Sequence, residues 1–335
     1  MAGKTKIAIN GFGRIGRSLF RLLLNHPSIE VVAINDLSDA RTLAHLLKYD
    51  SIHRTLPAEV SSVEDHIIVN GKNIPLFNSH IPQEIPWENT LAEIVVDATG
   101  QFKTSDSLKG HLKGTVKKVI LSVPPQDEAI KMVVLGVNEK LLDGTEEIIS
   151  NASCTTNNAA PMLQVIHEHF KVSQAYITTV HSYTTDQSLH DKPHRDLRRS
   201  RAAAQSIIPT TTGAAKALTH IFPDLQKVIG GCGIRVPVPN GSLTDMTLNV
   251  EKATSIEEVN ALFRKKAENE LKGILQYTED PIVSVDILDS PFSCIFDAQM
   301  TSVIDGKLLK LIGWYDNEFG YSSRLIDLIS LVNDK

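Results

Sequence analysis

The chain has 335 residues, more than one hydrophobic core usually serves, so about two domains are expected. Its 34 Lys and Arg against 39 Asp and Glu leave a formal net charge of −5, the wrong field for a dedicated nucleic-acid binder, and 42% hydrophobic residues exclude wholesale disorder. Three cysteines without a Cys-x-x-Cys pair offer neither a disulfide framework nor structural zinc spacing.

Met1-Ala2-Gly3-Lys4-Thr5-Lys6 leads into a strand-like Ile7-Ala8-Ile9 with no secretory apolar segment. No later run approaches the roughly 18 apolar residues of a membrane span, so a reducing, cytoplasmic setting is expected. Residues 14–25 carry Ile15, Leu19, Leu22 and Leu23 at helical spacing until His26-Pro27 stops the helix. Short apolar runs recur at 31–34, 94–96, 119–121 and 133–135, most of them after a polar or helical stretch. Continuous apolar strands separated by helices imply a parallel sheet covered on both faces, a doubly wound α/β arrangement. Between Val60 and Leu76, polar and β-branched residues flank Asn70-Gly71, which predicts a hairpin making an excursion from that sheet.

The pattern changes near residue 153. A helix over roughly 155–169 precedes a strand at 175–181 and a charged loop over 182–208. Strands are expected near 228–238, 243–250, 282–287, 292–300 and 307–314, with a helix at about 256–271. Strands that follow one another without helices predict a mixed or antiparallel sheet, hence an α+β second part. The final stretch, 319–333, places Leu325, Ile326, Leu328, Ile329 and Val332 on one helical face.

Gly11-Phe12-Gly13-Arg14-Ile15-Gly16 is a G-x-G-x-x-G run after a strand and at the opening of a helix, with Asp36 closing the next strand. That context defines a Rossmann dinucleotide site. Gly11 permits the turn, Gly13 lets backbone approach a pyrophosphate, and Gly16 allows close helix–strand packing, while the helix start offers unpaired N–H groups. Asp36 would bind ribose hydroxyls and repel a 2′-phosphate, favouring NAD over NADP.

In Ser150-Asn151-Ala152-Ser153-Cys154-Thr155-Thr156-Asn157 a strand turns into a helix, and a thiolate at a helix start gains from the dipole and free N–H groups. Hydroxyl and amide side chains around Cys154 suit an anion, whereas Cys232 and Cys294 read as inert core cysteines. Of 12 histidines, His181 ends a strand and is a candidate base, although spacing alone does not pair it with Cys154; His167 and His169 are expected to face solvent from a helix. The Arg195–Arg201 cluster reads on its own as a solvated loop or an RNA patch.

Six stretches occur in one order along nearly the whole chain: the fingerprint, the octapeptide around Cys154, His181-Ser182-Tyr183-Thr184, Asp196-Leu197-Arg198-Arg199, Ile208-Pro209-Thr210-Thr211-Thr212-Gly213, and Trp314-Tyr315-Asp316-Asn317-Glu318. Together they resemble phosphorylating glyceraldehyde-3-phosphate dehydrogenases. The resemblance implies that Cys154 attacks the aldehyde, that His181 serves as base, and that a thioester is released by inorganic phosphate as 1,3-bisphosphoglycerate without a metal. It implies phosphate-binding roles for Arg199, Arg235 and Thr184, and for Ser153, Thr155, Thr212 and Gly213. Arg14, Ile15, Asp36, Ser122 and Asn317 correspond to NAD contacts. If Asn317 reaches the cofactor, the NAD-binding domain comprises 1–152 and 317–335, and the catalytic domain 153–316. A homotetramer is implied, with the loop 182–208 near a neighbouring subunit.

Three departures from the family stand out. Asn158 replaces a frequent second cysteine, so Cys154 has no local disulfide partner. Lys192 stands where many NAD-specific members have leucine, which bears on NADP tolerance, and Val123-Pro124-Pro125-Gln126-Asp127 differs from the commoner loop without a functional account. The rival readings are a sibling erythrose-4-phosphate dehydrogenase, disfavoured by Tyr183-Thr184 and Thr212-Gly213, and an NAD-responsive regulatory protein, for which no catalytic residue is missing.

Overall fold

The computed structural model describes residues 3–333, so the outermost ends of the expected first domain, 1–2 and 334–335, lie outside the described residues. The chain forms two compact units: 3–133 with Glu139–Ala152 and 322–333, and Val134–Asn138 with Ser153–Tyr321.

The first unit begins with β1 (Thr5–Asn10), α1 (Arg14–Leu23), β2 (Ile29–Asn35) and α2 (Ala40–Lys48). A short pair, β3 (Tyr49–Asp50) and β4 (Arg54–Thr55), precedes β5 (Val60–Val63), β6 (His66–Val69) and β7 (Lys72–Phe77). Then come β8 (Ile94–Asp97), α3 (Ser105–Leu108), β9 (Lys118–Leu121), β10 (Lys131–Met132) and β11 (Ile148–Ser150). Among the described residues nine strands form one sheet in the order β10-β11-β9-β8-β1-β2-β7-β6-β5. Pairing is parallel from β10 through β7 and antiparallel for β6 and β5. Ile7, Ala8, Ile9, Val95, Val96 and Ile120 are fully buried, as strands covered on both faces require.

The hairpin turn is where the sequence places it: Asn70 (φ 50°) and Gly71 (φ 77°) are both left-handed, the geometry of a two-residue type I′ turn. The hairpin is not an excursion, however, because β7 pairs in parallel with β2 and so extends the main sheet. Val133–Leu135 is not a strand either. The ladder ends at β10, and the chain turns on Gly136 (φ 79°) with the Val137 N–H donating to the Val134 carbonyl at 3.1 Å. The Val123–Asp127 loop has a structural role: Asp127 Oδ2 accepts the Ser105 N–H at 3.0 Å, at the start of α3.

The second unit contains α4 (Cys154–Phe170), β12 (Val172–Ser182), β13 (Ile208–Thr210), α5 (Ala214–Ile221), β14 (Ile229–Val236) and β15 (Ser242–Val250). It continues with α6 (Ile256–Glu268), β16 (Leu275–Thr278), β17 (Cys294–Asp297), β18 (Ser302–Ile304) and β19 (Leu308–Tyr315), and α7 (Phe319–Asn333) closes the chain. The sheet order is β13-β14-β12-β15-β19-β17-β16, with β18 also on β19. It is mixed, as expected: β12 runs parallel to β14 and antiparallel to β15. Phe263 of α6 stacks on Phe296 of β17 with ring centroids 3.8 Å apart, fixing that helix to the sheet. Residues 282–287 form turns rather than a strand, and the strand of that region is β16. Val283 and Val285 are exposed there, so the alternation read from sequence marks no buried face. In α7, Leu325, Leu328, Ile329 and Val332 are buried as the periodicity predicts. Among the described residues no helix is long and apolar enough to cross a membrane.

One ion pair ties α1 to the β3 turn. Arg14 donates to both carboxylate oxygens of Asp50, at 2.5 and 3.1 Å, and the Ile52 and His53 N–H groups donate to Oδ1. Burial works against the Asp50 charge, but these donors outweigh it and hold the carboxyl down at about 2. An unfolded aspartate titrates at about 3.9, so the stabilisation is complete above that pH and is lost as pH falls through 2. Asp50→Asn is expected to cost about 1–3 kcal/mol in urea unfolding at pH 7, with the difference from the parent protein closing between about pH 4 and 2.

Candidate active site

The glycine turn has the shape of a pyrophosphate cradle. Gly11 adopts φ 90°, and a Cβ there would meet the Thr99 nitrogen at 2.8 Å. A Cβ on Gly16 would meet the Gly11 carbonyl oxygen at 2.2 Å, which fixes glycine where α1 passes β1. Around Gly13 a Cβ would meet nothing within 4 Å, and no side chain caps α1 there, so an anion can approach the helix start closely. Asp36 Oδ2 accepts the Phe12 N–H at 2.7 Å and Oδ1 accepts the Ser38 N–H at 2.9 Å. The carboxylate is thereby pinned to the same turn, and the donor set fits a dinucleotide whose ribose hydroxyls meet Asp36. Ile15 follows Arg14 on the first turn of α1. Ser122, just beyond β9, is buried and its N–H donates to the Asp97 carbonyl at 3.0 Å.

In the second unit Cys154 opens α4. Ser153 caps the helix by accepting the Thr156 N–H at 3.1 Å, and the preceding Ala152 is held at φ 56°, a left-handed conformation that a residue with a side chain rarely adopts. Cys154 Sγ lies 3.5 Å from His181 Nε2, the pairing that spacing alone left open. The ring of His181 meets Tyr315 edge-on at 5.9 Å. Tyr315 is buried, and its hydroxyl bridges Thr155 and Thr179 at 2.9 Å each, so the Thr155 hydroxyl is engaged in the wall of the site.

Register explains the next neighbour. β12 and β14 are parallel and pair His181 with Arg235, which puts imidazole and guanidinium on one face. Arg235 NH1 lies 2.7 Å from His181 Nδ1 and donates to the Ser182 carbonyl at 2.8 Å, while Nδ1 is itself 2.8 Å from that carbonyl. A guanidinium only donates, so its contact requires a bare Nδ1, whereas the carbonyl contact requires a protonated one. One proton cannot satisfy both. Burial and the Arg235 charge push His181 down to about 3. Burial likewise pushes the Cys154 thiol up, against the opposing pull of Arg235 and Thr155. Burial thus favours the neutral thiol and the neutral imidazole, while Arg235 and the start of α4 favour a thiolate.

Arg199 lies beyond Arg235, close enough that each cation disfavours another charge nearby. It donates to Thr210 Oγ1 at 2.8 Å and the Thr211 carbonyl at 3.1 Å and pairs with Asp186 at 3.0 Å, while the Thr184 hydroxyl donates to the same carboxylate at 3.0 Å. Thr212 and Gly213 follow directly and start α5, with Thr212 Oγ1 accepting the Ala214 N–H at 3.2 Å. Arg195 and Arg198 are exposed, and Arg201 pairs at the surface with Asp191. Asn317 is buried, and its Oδ1 accepts from the hydroxyls of Ser182 and Ser242 at 2.9 Å each. Two donors at the oxygen orient the amide, leaving Nδ2 as the group to present. Asn158, the site of the missing second cysteine, donates to the Ser293 and Trp314 carbonyls.

Sequence reasoning missed Asp186, Tyr315, Ser182 and Ser242. Tyr315 and Ser182 stood inside stretches already quoted, but nothing in a sequence shows that a tyrosine hydroxyl bridges two threonines. His167 is half-buried, not solvent-facing, because its Nε2 meets Asp224 at 2.8 Å and its Nδ1 accepts the Val172 N–H. Cys294 is wholly buried, whereas Cys232 is only partly so, with its sulfur 3.7 Å from the Thr178 hydroxyl.

A doubly wound sheet with a glycine-turn nucleotide cradle, followed by a mixed sheet that pairs a cysteine with a histidine beside two arginines, defines the class of NAD-dependent dehydrogenases. Residues 5–105 match the family model described as glyceraldehyde 3-phosphate dehydrogenase, NAD binding domain, and 153–317 match its C-terminal domain. The chain is 51% identical over 332 residues to glyceraldehyde-3-phosphate dehydrogenase 1 of Bacillus cereus, covering 99% of both chains. It is 51% identical to glyceraldehyde-3-phosphate dehydrogenase of Geobacillus stearothermophilus, covering 98% of each, and 51% identical to that of Thermotoga maritima, again covering 98% of each. The chain belongs to the glyceraldehyde 3-phosphate dehydrogenase family.

Iodoacetamide at neutral pH is expected to label Cys154 first and Cys294 last, with Cys154 labelling slowed in His181→Asn; equal rates at Cys154 and Cys294 would return Cys154 to the inert class. An unfolded histidine titrates at about 6.5, well above His181 in the fold, so the unfolded chain gains a proton that the folded chain declines. Stability should therefore fall as pH drops from about 6.5 towards 3, and His181→Asn should remove that part of the slope in urea midpoints.

Proposed function

We propose that this chain oxidises glyceraldehyde 3-phosphate with NAD and inorganic phosphate to 1,3-bisphosphoglycerate, with Cys154 as nucleophile and His181 as base. The observation that carries the reading is the 3.5 Å approach of Cys154 Sγ to His181 Nε2 beside the paired guanidinium of Arg235. Gly11, Gly13, Arg14, Ile15, Gly16, Asp36 and Ser122 of the first unit, and Asn317 of the second, are the residues that would hold NAD. The chemistry NAD supplies when bound is acceptance of a hydride. We assign the nucleotide to 1–152 with 317–335 and catalysis to 153–316.

On this reading the sulfur of Cys154 bonds to the aldehyde carbon as its proton passes to His181 and from there to the former carbonyl oxygen, giving a thiohemiacetal and a neutral imidazole. His181 next takes the hydroxyl proton as the hydride departs, which leaves a thioester on Cys154. Phosphate oxygen then attacks the thioester carbon, the C–S bond breaks, and the sulfur recovers its proton. The Cys154 N–H at the start of α4 faces the developing oxyanion. Arg199, Arg235 and Thr184 bind the substrate phosphate, and Ser153, Thr155, Thr212 and Gly213 the attacking phosphate. The conflict at Nδ1 gives substrate binding a second consequence. An anion that draws Arg235 off Nδ1 lets that nitrogen donate to the Ser182 carbonyl, leaving Nε2 bare toward the sulfur and relieving one cause of the depressed basicity.

A homotetramer is the assembly we favour. Leu189, Leu197 and Ile207, in the 182–208 segment, are 65%, 81% and 70% exposed, and a neighbouring copy would cover them. A cytoplasmic setting suits three free thiols.

NADH formation followed at 340 nm should require glyceraldehyde 3-phosphate, NAD and phosphate together, and should be lost in Cys154→Ser. Faster turnover of erythrose 4-phosphate would move the chain to the sibling activity; a strong NADP rate would mean that Lys192 outweighs Asp36. Light scattering at micromolar protein should give four times the chain mass, and a monomer or dimer mass would refute the tetramer.

A further inference from the structure

A chain of buried polar side chains crosses the carboxyl ends of the first unit's strands, and the chemistry above does not use it. Asn35 Nδ2 donates to the Ser79 carbonyl and to Asn10 Oδ1, each at 2.8 Å, and Asn10 Nδ2 donates to Asp97 Oδ2 at 2.7 Å. Asp97 Oδ1 accepts from the Thr99 hydroxyl at 2.7 Å and the Thr99 N–H at 3.2 Å. His111 Nε2 lies 3.4 Å from Asp97 Oδ2, and its Nδ1 accepts the Trp87 indole N–H at 2.9 Å. Asn10, Asn35, Asp97, His111 and Trp87 are each 3% exposed or less.

The indole fixes the chemistry of the histidine. An indole nitrogen only donates, so Nδ1 is bare and the single ring proton sits on Nε2, which lies 3.4 Å from both Asp97 Oδ2 and Asn10 Nδ2. His111 thus links the Trp87 wall to the buried Asp97 carboxylate. Each other member of the chain touches an expected nucleotide residue. Asn10 precedes Gly11, Asn35 precedes Asp36, and the Asp97 carbonyl accepts the Ser122 N–H at 3.0 Å. The loop that Asp97 opens meets the glycine turn, since Thr99 is what a Cβ on Gly11 would strike.

We propose that Asp97 and His111 are positioning residues for the nucleotide: they hold the Asp97–Gly100 loop, Ser122 and the glycine turn at one spacing and so set the affinity for NAD. Apolar residues of similar volume would fill this space with little loss of net stability, because a buried hydrogen-bonded chain gains little over a packed apolar one. What the polar chain adds is fixed direction, as partners behind a binding site do elsewhere. The inference rests on the NAD-binding reading above.

Calorimetric titration of the purified full chain with NAD tests it, alongside KM values and melting temperatures. His111→Phe keeps the ring volume but removes both the donor and the acceptor, and should raise the Kd for NAD about tenfold, the scale of one lost buried hydrogen bond. The KM for NAD should rise with it, while the KM for the aldehyde and kcat at saturating NAD stay within about twofold of the parent. His111→Gln, which can still donate to Asp97, should recover part of the affinity, and Asp97→Asn should weaken it. Ile67→Ala, in the hairpin and remote from the chain, supplies a destabilised control with unchanged Kd. Unaltered NAD affinity in His111→Phe and Asp97→Asn, or an equal loss in Ile67→Ala, would overturn the proposal. Should His111→Phe fail to fold, His111→Gln and Asp97→Asn carry the comparison. A parent chain that binds no NAD would instead bring down the cofactor reading itself.

Discussion

Parallel pairing is the constraint on which both halves of this molecule depend. Neighbouring parallel strands end their ladders at the same edge, so the next residues of several strands gather there with backbone groups unspent. In the first unit that edge collects Asn10, Asn35, Asp97 and Ser122, each at the end of its strand or just beyond it. In the second unit the parallel contact of β12 with β14 brings His181 level with Arg235, though 54 residues separate them in sequence. An antiparallel contact there would have reversed one strand and carried one of the two away.

The second unit shows what this proximity costs. An imidazole and a guanidinium share one face and one carbonyl, and no arrangement of the available protons satisfies all three contacts. The left-handed Ala152 before the thiol adds a second departure from easy geometry. Such conflicts persist only where the surroundings over-determine them, and here β12, β14, β15 and β19 supply that surrounding. Arg199 adds a further cation, but Asp186 and Asp196 lie beside it, so the cluster meets an incoming anion with part of its charge already compensated. Asp186 therefore belongs to the same charged cluster as Arg199, which it pairs with.

The polar chain at the strand ends of the first unit resolves its buried groups more completely. Asp97 receives three hydrogen-bond donors and His111 accepts the Trp87 indole N–H, whereas the His181 neighbourhood keeps one contact unsatisfied. Complete satisfaction gives rigidity and direction, while an unsatisfied contact leaves a group able to change partner when a ligand arrives. Lys192 belongs to neither arrangement. It is exposed, and its N–H donates to the Ser200 carbonyl at 2.9 Å.

Much of this was legible in the sequence because the signals are local. The glycine run, the apolar strands and the Asn70-Gly71 turn each follow from what a few neighbouring residues permit sterically, and the family resemblance fixed the order of the motifs. Where local reading failed, packing decided. Val133–Leu135 is as apolar as a strand but turns on Gly136, 282–287 alternates without a face to bury, and β7 joins a sheet that its own sequence does not mention. The site divides in the same way. Residue type and order marked Cys154, His181, Arg199 and Arg235 as candidates. Only the tertiary structure decided that Cys154 meets His181, that Tyr315 backs them, that Arg235 contests Nδ1, and that His111 lies between Trp87 and Asp97. Those facts depend on strand register and burial across tens of residues of separation, quantities set by how whole elements pack rather than by any residue's immediate neighbours.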